Sequence, residues 1–286
     1  MQCPGIRSHF QQHFNPDHST LSTPPEILNT PNYIKTLQNC TENFTEQPPS
    51  KEEIEKAIDQ QNNGKSTLDI EAELIKVSYK LPEVMECLEN YLSRIWTNKE
   101  IPDQWRISRI TAIWKKKGNV MDPTKQRGIS ILSTLGKIGI TIILNRISGF
   151  YNKQLRRTQF GFRSGMGCND GVYMLKQLQE IASKSQRKLY VCFIDLTAAF
   201  DHVNRELLFK SIRQRLVATN QGSVNFEILE KLYNDTSAFM QNDHPDRDSF
   251  KISSGVRQGA QEGPPLYNLY SDFVTVCMKI RRKIMV

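Results

Sequence analysis

The chain has 286 residues, with 38% hydrophobic content, 13 Phe, 9 Tyr and 3 Trp, which is enough apolar material for a large core and excludes global disorder. Six widely scattered cysteines form no CxxC pair, which argues against a zinc framework or a disulfide scaffold. The net charge of +8 is concentrated: residues 100–160 carry twelve Lys/Arg against three Asp/Glu, so the remainder is close to neutral, and a polyanionic partner is expected to meet that region.

Residues 1–49 are rich in Pro, Asn, Thr and Gln and read as a linker or poorly ordered segment, apart from a short helix expected around Ile6 to Phe14. His9 and His13 lie one helical turn apart with Cys3 nearby, a weak zinc pattern that is set aside. Order is expected from residue 50 onward, as a single domain over 50–286. Ser50 and Glu53 make a capping box, Ile54, Ala57 and Ile58 share a face, and Gly64 is read as the helix stop. Two further helices are expected over Ile70–Tyr79 and Pro82–Trp96, the second with a buried stripe of Met85, Leu88, Leu92 and Trp96.

The period then changes. Ser108–Trp114 alternates as a strand, Lys115-Lys116-Lys117-Gly118 turns, and Gly128–Leu132 returns, which makes a hairpin with a basic tip. Helices follow over Thr134–Tyr151 and Asn169–Ser183, the latter with Val172, Leu175, Leu178 and Ile181 spaced to bury. Leu189–Ile194 is an unbroken apolar run ending at Asp195 and reads as a buried central strand. A helix carrying Val203, Leu207, Leu208, Ile212 and Leu216 comes next, with Asp201 as its expected cap. Phe226–Phe239 reads as helix, Asn242–Asp248 as a polar turn, Ser249–Ile252 as a short strand and Leu266–Ile280 as helix. No stretch resembles a signal peptide or an apolar span of about 18 residues, so an intracellular protein of nucleus or cytoplasm, without membrane contact, is expected.

Four stretches occur in fixed order: QRGISIL (Gln126–Leu132), QFGFRSG (Gln159–Gly165), FIDLTAAFD (Phe193–Asp201) and SGVRQG (Ser254–Gly259). Together they resemble the reverse transcriptase of non-LTR (LINE-type) retrotransposons, over roughly residues 49–280. The resemblance implies a mixed α+β fold, a right-hand polymerase with fingers and part of the palm, and RNA template, DNA primer and dNTP as partners. It also implies Mg²⁺ as cofactor, because nucleotidyl transfer uses two divalent cations about 4 Å apart.

By the same resemblance Asp195 is the catalytic carboxylate and metal ligand, and Phe200 the steric gate against a ribose 2′-hydroxyl. On the residues alone, a strand-end Asp is more often a cap, and Phe200 a core aromatic. Lys115, Lys116 or Lys117 at the hairpin tip and Arg127 on the return strand would meet the triphosphate, since Arg offers a planar fork and Lys a mobile charge. Gln258 would pack on the nucleotide sugar, Gly259 would allow close backbone approach, and Arg163 is either a template contact or a structural ion pair.

The sequence also departs from the family. No Asp-Asp pair occurs, so the aromatic-Ala-Asp-Asp hairpin that supplies the partner carboxylates is missing, and a copy truncated before it, inactive alone, is expected. Glu262 stands where an apolar residue is usual, and burying it unpaired would cost several kcal/mol, about 3 or more. A Gly-rich stretch after Gly64-Lys65 is replaced by Ser66-Thr67-Leu68-Asp69. The other readings are a non-catalytic nucleic-acid binder that uses the basic hairpin, and an inert retrotransposon relic.

Overall fold

The structure, a computed structural model, describes residues 5–16, 44–243 and 248–284, with the side chains of the last helix described to residue 275. A short helix, α1 (Ile6–His13), leads. Then come α2 (Lys51–Asp59), α3 (Ala72–Ser78), α4 (Pro82–Asn98) and the single turn α5 (Asp103–Arg106). The hairpin β1 (Ile107–Trp114) and β2 (Gln126–Ile131) is followed by α6 (Thr134–Gln154), α7 (Cys168–Lys184), α8 (Arg205–Thr219) and α9 (Val224–Tyr233). Strands β3 (Ser237–Met240) and β4 (Phe250–Lys251) and the long helix α10 (Gly263–Ile284) complete a mixed α/β fold.

The sheet runs in the order β2-β1-β3-β4, antiparallel at both flanks and parallel between β1 and β3, where Ile107–Ile110 pair with Ser237–Met240. This pairing explains one departure from the sequence reading. The helix expected over Phe226–Phe239 stops at Tyr233, because Asp235 turns left-handed (φ 52°) and Ala238 to Met240 enter the sheet as buried residues. A non-local strand partner has overridden local helical spacing.

The main core joins one face of each of α2, α4, α6, α8, α9 and α10. At α2 the Ser50/Glu53 capping box is formed, and Ile54, Ala57 and Ile58 are buried. Gly64 lies beyond the helix end, in a separate turn. Arg146 of α6 clamps Glu53 with two bonds, Nε–Oε1 at 2.7 Å and Nη2–Oε2 at 2.5 Å, and also donates to the Gln47 carbonyl at 2.8 Å. Arg146, foremost by hydrogen bonding, holds the Glu53 carboxyl below its ordinary value. A depressed carboxyl adds stability above its unfolded-state value and loses it as pH falls through the folded one. Arg146→Ala is therefore expected to cost about 2 kcal/mol at pH 7 and progressively less below pH ~4.5, read from urea unfolding across pH.

The Asp69 carboxylate accepts from Ser133 Oγ at 2.5 Å and from the Thr134 backbone N–H at 2.7 Å, so it caps α6 from a distant loop. The stretch that replaces the family's Gly-rich one thus has a structural task. Glu262 is fully buried, as its position demands, but it is not alone: Arg257 Nη2 approaches Oε1 at 2.6 Å, Nε at 2.9 Å, and the Tyr233 hydroxyl at 3.2 Å. The feared cost of an unpaired carboxylate is offset by this cluster.

A smaller apolar cluster lies under the sheet. There Ile6, Phe10 and Phe14 of α1 and its C-terminal flank pack against Ile110, Ala238, Met240, Phe250 and Ile252. Residues 5–16 are therefore a docked part of the fold and not a linker, while the rest of the segment up to residue 43 lies outside the described residues.

Two other expectations fail. Residues 187–196 form no strand, and Tyr190, Phe193 and Ile194 are 85%, 83% and 82% exposed. Helix α7 forms as expected but buries no residue, with Val172, Leu178 and Ile181 all exposed. A strand needs a hydrogen-bonded neighbour, and residues 189–194 pair with neither edge of the four-stranded sheet.

Candidate functional site

Three distant segments are fastened together beside the hairpin. Ser130 of β2 donates its N–H to the Gln258 carbonyl at 2.8 Å, and Val256 and Gly255 donate to the carbonyls of Phe200 and Val203, each at 2.9 Å. The approach is close enough to require glycine. Gly255 has φ 81°, and a Cβ there would lie 2.7 Å from the Asp201 carbonyl oxygen. Gly259 has φ 97°, and its Cβ would lie 3.0 Å from Ile129. Arg205, at the start of α8, braces the same loop with bonds to the Ile252 and Gly255 carbonyls, both at 2.9 Å. Burial pulls its guanidinium down to about 10.

Between these segments lies a cavity of about 560 Å³. Lys115, Arg127, Asp195, Asp201 and Gln258 line it, and α1 closes one side with His9 and His13. Of the three tip lysines only Lys115 reaches this wall, because its backbone extends the hairpin pairing (N–H to the Lys125 carbonyl, 2.8 Å) and its Nζ donates to the Thr124 carbonyl at 3.0 Å. Lys116, at φ 55°, and Lys117 are exposed on the loop beyond. Gly259 shapes the wall without lining it.

Asp195 lines the cavity from an exposed, irregular segment and not from a strand end. The turn after it is strained, with Ala198 left-handed at φ 50°, as functional turns often are. Phe200 is not among the lining residues. Its ring stacks on Tyr267 (centroids 4.8 Å apart, 11° between planes) and meets Phe162 edge-on at 6.0 Å, so it behaves as a packed aromatic. Arg163 is not among the lining residues either, and donates to the carbonyls of Arg156 (2.9 Å) and Asn152 (2.8 Å), which holds a turn at the end of α6.

Asp201 does not cap α8; Asn204 does, accepting from the Leu207 N–H at 3.0 Å. Asp201 Oδ2 instead meets His13 Nε2 at 2.9 Å, and its Oδ1 is buried with no hydrogen-bond partner among the described residues. The His9 ring is pushed below its ordinary value, first by burial and then by the charges of His13 and Lys115. The sequence reading met the two histidines only as a weak zinc pattern and did not connect them with this site, because they stand outside the four motifs. The zinc reading of that pattern needs Cys3, which lies outside the described residues.

Members of the reverse transcriptase family generally use divalent metal ions. The donor set here does not fit a pair of them. Asp195 is a single carboxylate, Asp201 is engaged by His13, and no group of three or more His, Cys, Asp and Glu among the described residues is placed to hold a cation. Among the same residues, no helix is long and apolar enough to cross a membrane.

Residues 114–279 match the family described as reverse transcriptase (RNA-dependent DNA polymerase). The chain is 30% identical over 176 residues to the probable RNA-directed DNA polymerase from transposon BS of Drosophila melanogaster, which covers 59% of this chain and 18% of the relative. It is 30% identical over 173 residues to the corresponding protein from transposon X-element of the same fly, and 29% over 178 residues to the RNA-directed DNA polymerase from its mobile element jockey, with the same coverage. The matched stretch is thus under a fifth of the length of these curated relatives. Mixed fold, matched residues and relatives agree: the chain belongs to the reverse transcriptase family and carries a reverse transcriptase domain homologous to those of LINE-type, non-LTR retrotransposons.

Proposed function

We propose that residues 50–286 are the fingers and part of the palm of an RNA-directed DNA polymerase that copies an RNA template from a DNA primer, and that the cavity is its dNTP site. One observation carries this reading: Lys115, Arg127, Asp195 and Gln258, drawn from separate motifs, line a single cavity. Lys115 and Arg127 bind the triphosphate, Gln258 meets the sugar, and Asp195 is the metal-side carboxylate. Phe200, turned onto Tyr267, supports the turn behind Asp195 in this reading, and Arg163 fixes a loop and does not meet the template.

A lone carboxylate cannot hold two cations against their repulsion, so these 286 residues bind nucleotide without polymerising it. Primer extension on an RNA template with Mg²⁺ should give no product. In titration calorimetry, Arg127→Ala should weaken dTTP binding by roughly ten-fold or more, the value of a charge-assisted bidentate contact. Mg²⁺-dependent synthesis that Asp195→Asn abolishes would overturn the first claim, and undiminished dTTP binding by Arg127→Ala the second. The exposed Lys116 and Lys117 favour a second, compatible role in gripping nucleic-acid backbone, which would show as salt-sensitive affinity indifferent to Asp195.

A further inference from the structure

One wall of the cavity comes from outside every motif named above. We propose that α1 is a permanent wall of the nucleotide pocket, and that His9 donates a ring N–H to the phosphates of a bound nucleoside triphosphate beside Lys115 and Arg127, with His13 held next to it by Asp201. The proposal rests on the nucleotide reading of the cavity and adds a binding element to it.

The helix is held by its apolar residues and its C-terminal flank. Phe10 packs on Gly128 so closely that a Cβ there would sit 2.8 Å from the ring. The Phe14 carbonyl accepts from Ser254 Oγ at 3.2 Å, and Asn15 joins Lys251 and Ser253 through bonds of 2.8 and 3.0 Å. Such anchoring, made in part by the same loop that carries Gln258, suits a fixed wall better than a plug that must leave. The cavity is open with the helix in place.

The neighbouring stripe of the helix presents the two imidazoles side by side, ring centres 5.6 Å apart and 19° from parallel. Asp201 fixes the His13 ring through Nε2, which leaves Nδ1 as its second polar atom, and His202 packs edge-on against it at 5.8 Å. Burial first, and then the charges of His13 and Lys115, hold the His9 ring below its ordinary value, with Asp122 opposing them, and Asp195 and Asp201 line the same cavity. A polyphosphate entering this wall brings negative charge beside His9 and Lys115 and gains the His9 ring N–H as a donor. A triphosphate, with its several negative charges, fits such a concentration of donors far better than a neutral ligand does.

The test is calorimetric titration of the full chain with inorganic tripolyphosphate and, separately, dTTP. The proteins compared are the wild type, the pair His9→Ala with His13→Ala, the single variant His9→Gln, and Arg127→Ala. The double variant is expected to weaken both ligands roughly five- to ten-fold and His9→Gln roughly two- to three-fold. If the double variant does not unfold cooperatively, His9→Gln, which leaves the His13–Asp201 bond intact, decides. Unchanged or tighter binding in the histidine variants, with Arg127→Ala still weakened, would sink the α1 proposal alone. If Arg127→Ala is also without effect, the nucleotide reading of the cavity fails with it.

Discussion

Arg257→Met is expected to destabilise the chain by about 3–5 kcal/mol, a large share of a typical domain's ~5–15 kcal/mol. The side chains of Arg257 and Glu262 are 4% and 0% exposed, and Arg257 Nη1 also donates to the Trp105 carbonyl at 2.8 Å. Burial works against the Arg257 charge, yet Glu262 and Tyr233 outweigh it and hold the guanidinium above its ordinary value. The Tyr233 hydroxyl is held up as well, by burial first and by Glu262 next. Removing the cation alone strands a carboxylate in apolar surroundings. Removing both charges, as Arg257→Met with Glu262→Met, exchanges them for packing and should return the protein to within about 1–2 kcal/mol of wild type. Urea denaturation of the three proteins decides. A single variant no less stable than the double would show that the pair is not the organising contact described.

Gly255→Ala is the second large effect, expected at about 3 kcal/mol with a loss of dTTP affinity. Part of the cost, about 1–2 kcal/mol, is the left-handed backbone at φ 81°. The remainder comes from the new Cβ, 2.7–2.9 Å from three backbone atoms of Asp201, which pushes that residue off its bond with His13. Gly165→Ala separates the two contributions, because Gly165 has φ 73° but nothing within 4 Å of its Cβ position. It should lose only the backbone share and leave nucleotide binding unchanged. Equal losses in the two variants would argue that the contact with Asp201 carries no weight.

What the sequence disclosed depended on where each residue's partners lie. The Ser50/Glu53 box, the buried stripe of α4 and the β1–β2 hairpin all draw on neighbours within a few residues or across one turn, and periodicity exposed them. Where a partner comes from far along the chain, periodicity misled or was silent. Strand β3 pairs with β1 some 130 positions away, Asp69 caps a helix that starts at Thr134, and α1 docks on Phe250 and Ile252. Leu189–Ile194 failed for the converse reason. Its composition fits a buried strand, yet among the described residues no strand lies beside it. The site residues were legible only through the family motifs, since nothing in their spacing shows that Lys115, Arg127, Asp195 and Gln258 share a cavity. The motifs carried no hint of His9 and His13, which stand outside them.

The exposed apolar side chains of α7 and of residues 189–196 also set how this protein behaves in a tube. Tyr173, Tyr190, Phe193 and Ile194, all more than 60% exposed, give the molecule adhesive apolar surface. Its basic hairpin gives it a second, electrostatic stickiness for nucleic acid. The two respond oppositely to the solvent. Added salt strips bound nucleic acid from the lysines and arginines, while salting-out anions such as sulfate drive the apolar surfaces of separate molecules together. A preparation freed of nucleic acid with ammonium sulfate therefore gains clarity in absorbance at the cost of colloidal stability, and moderate chloride with a mild nonionic detergent is the condition that relieves both.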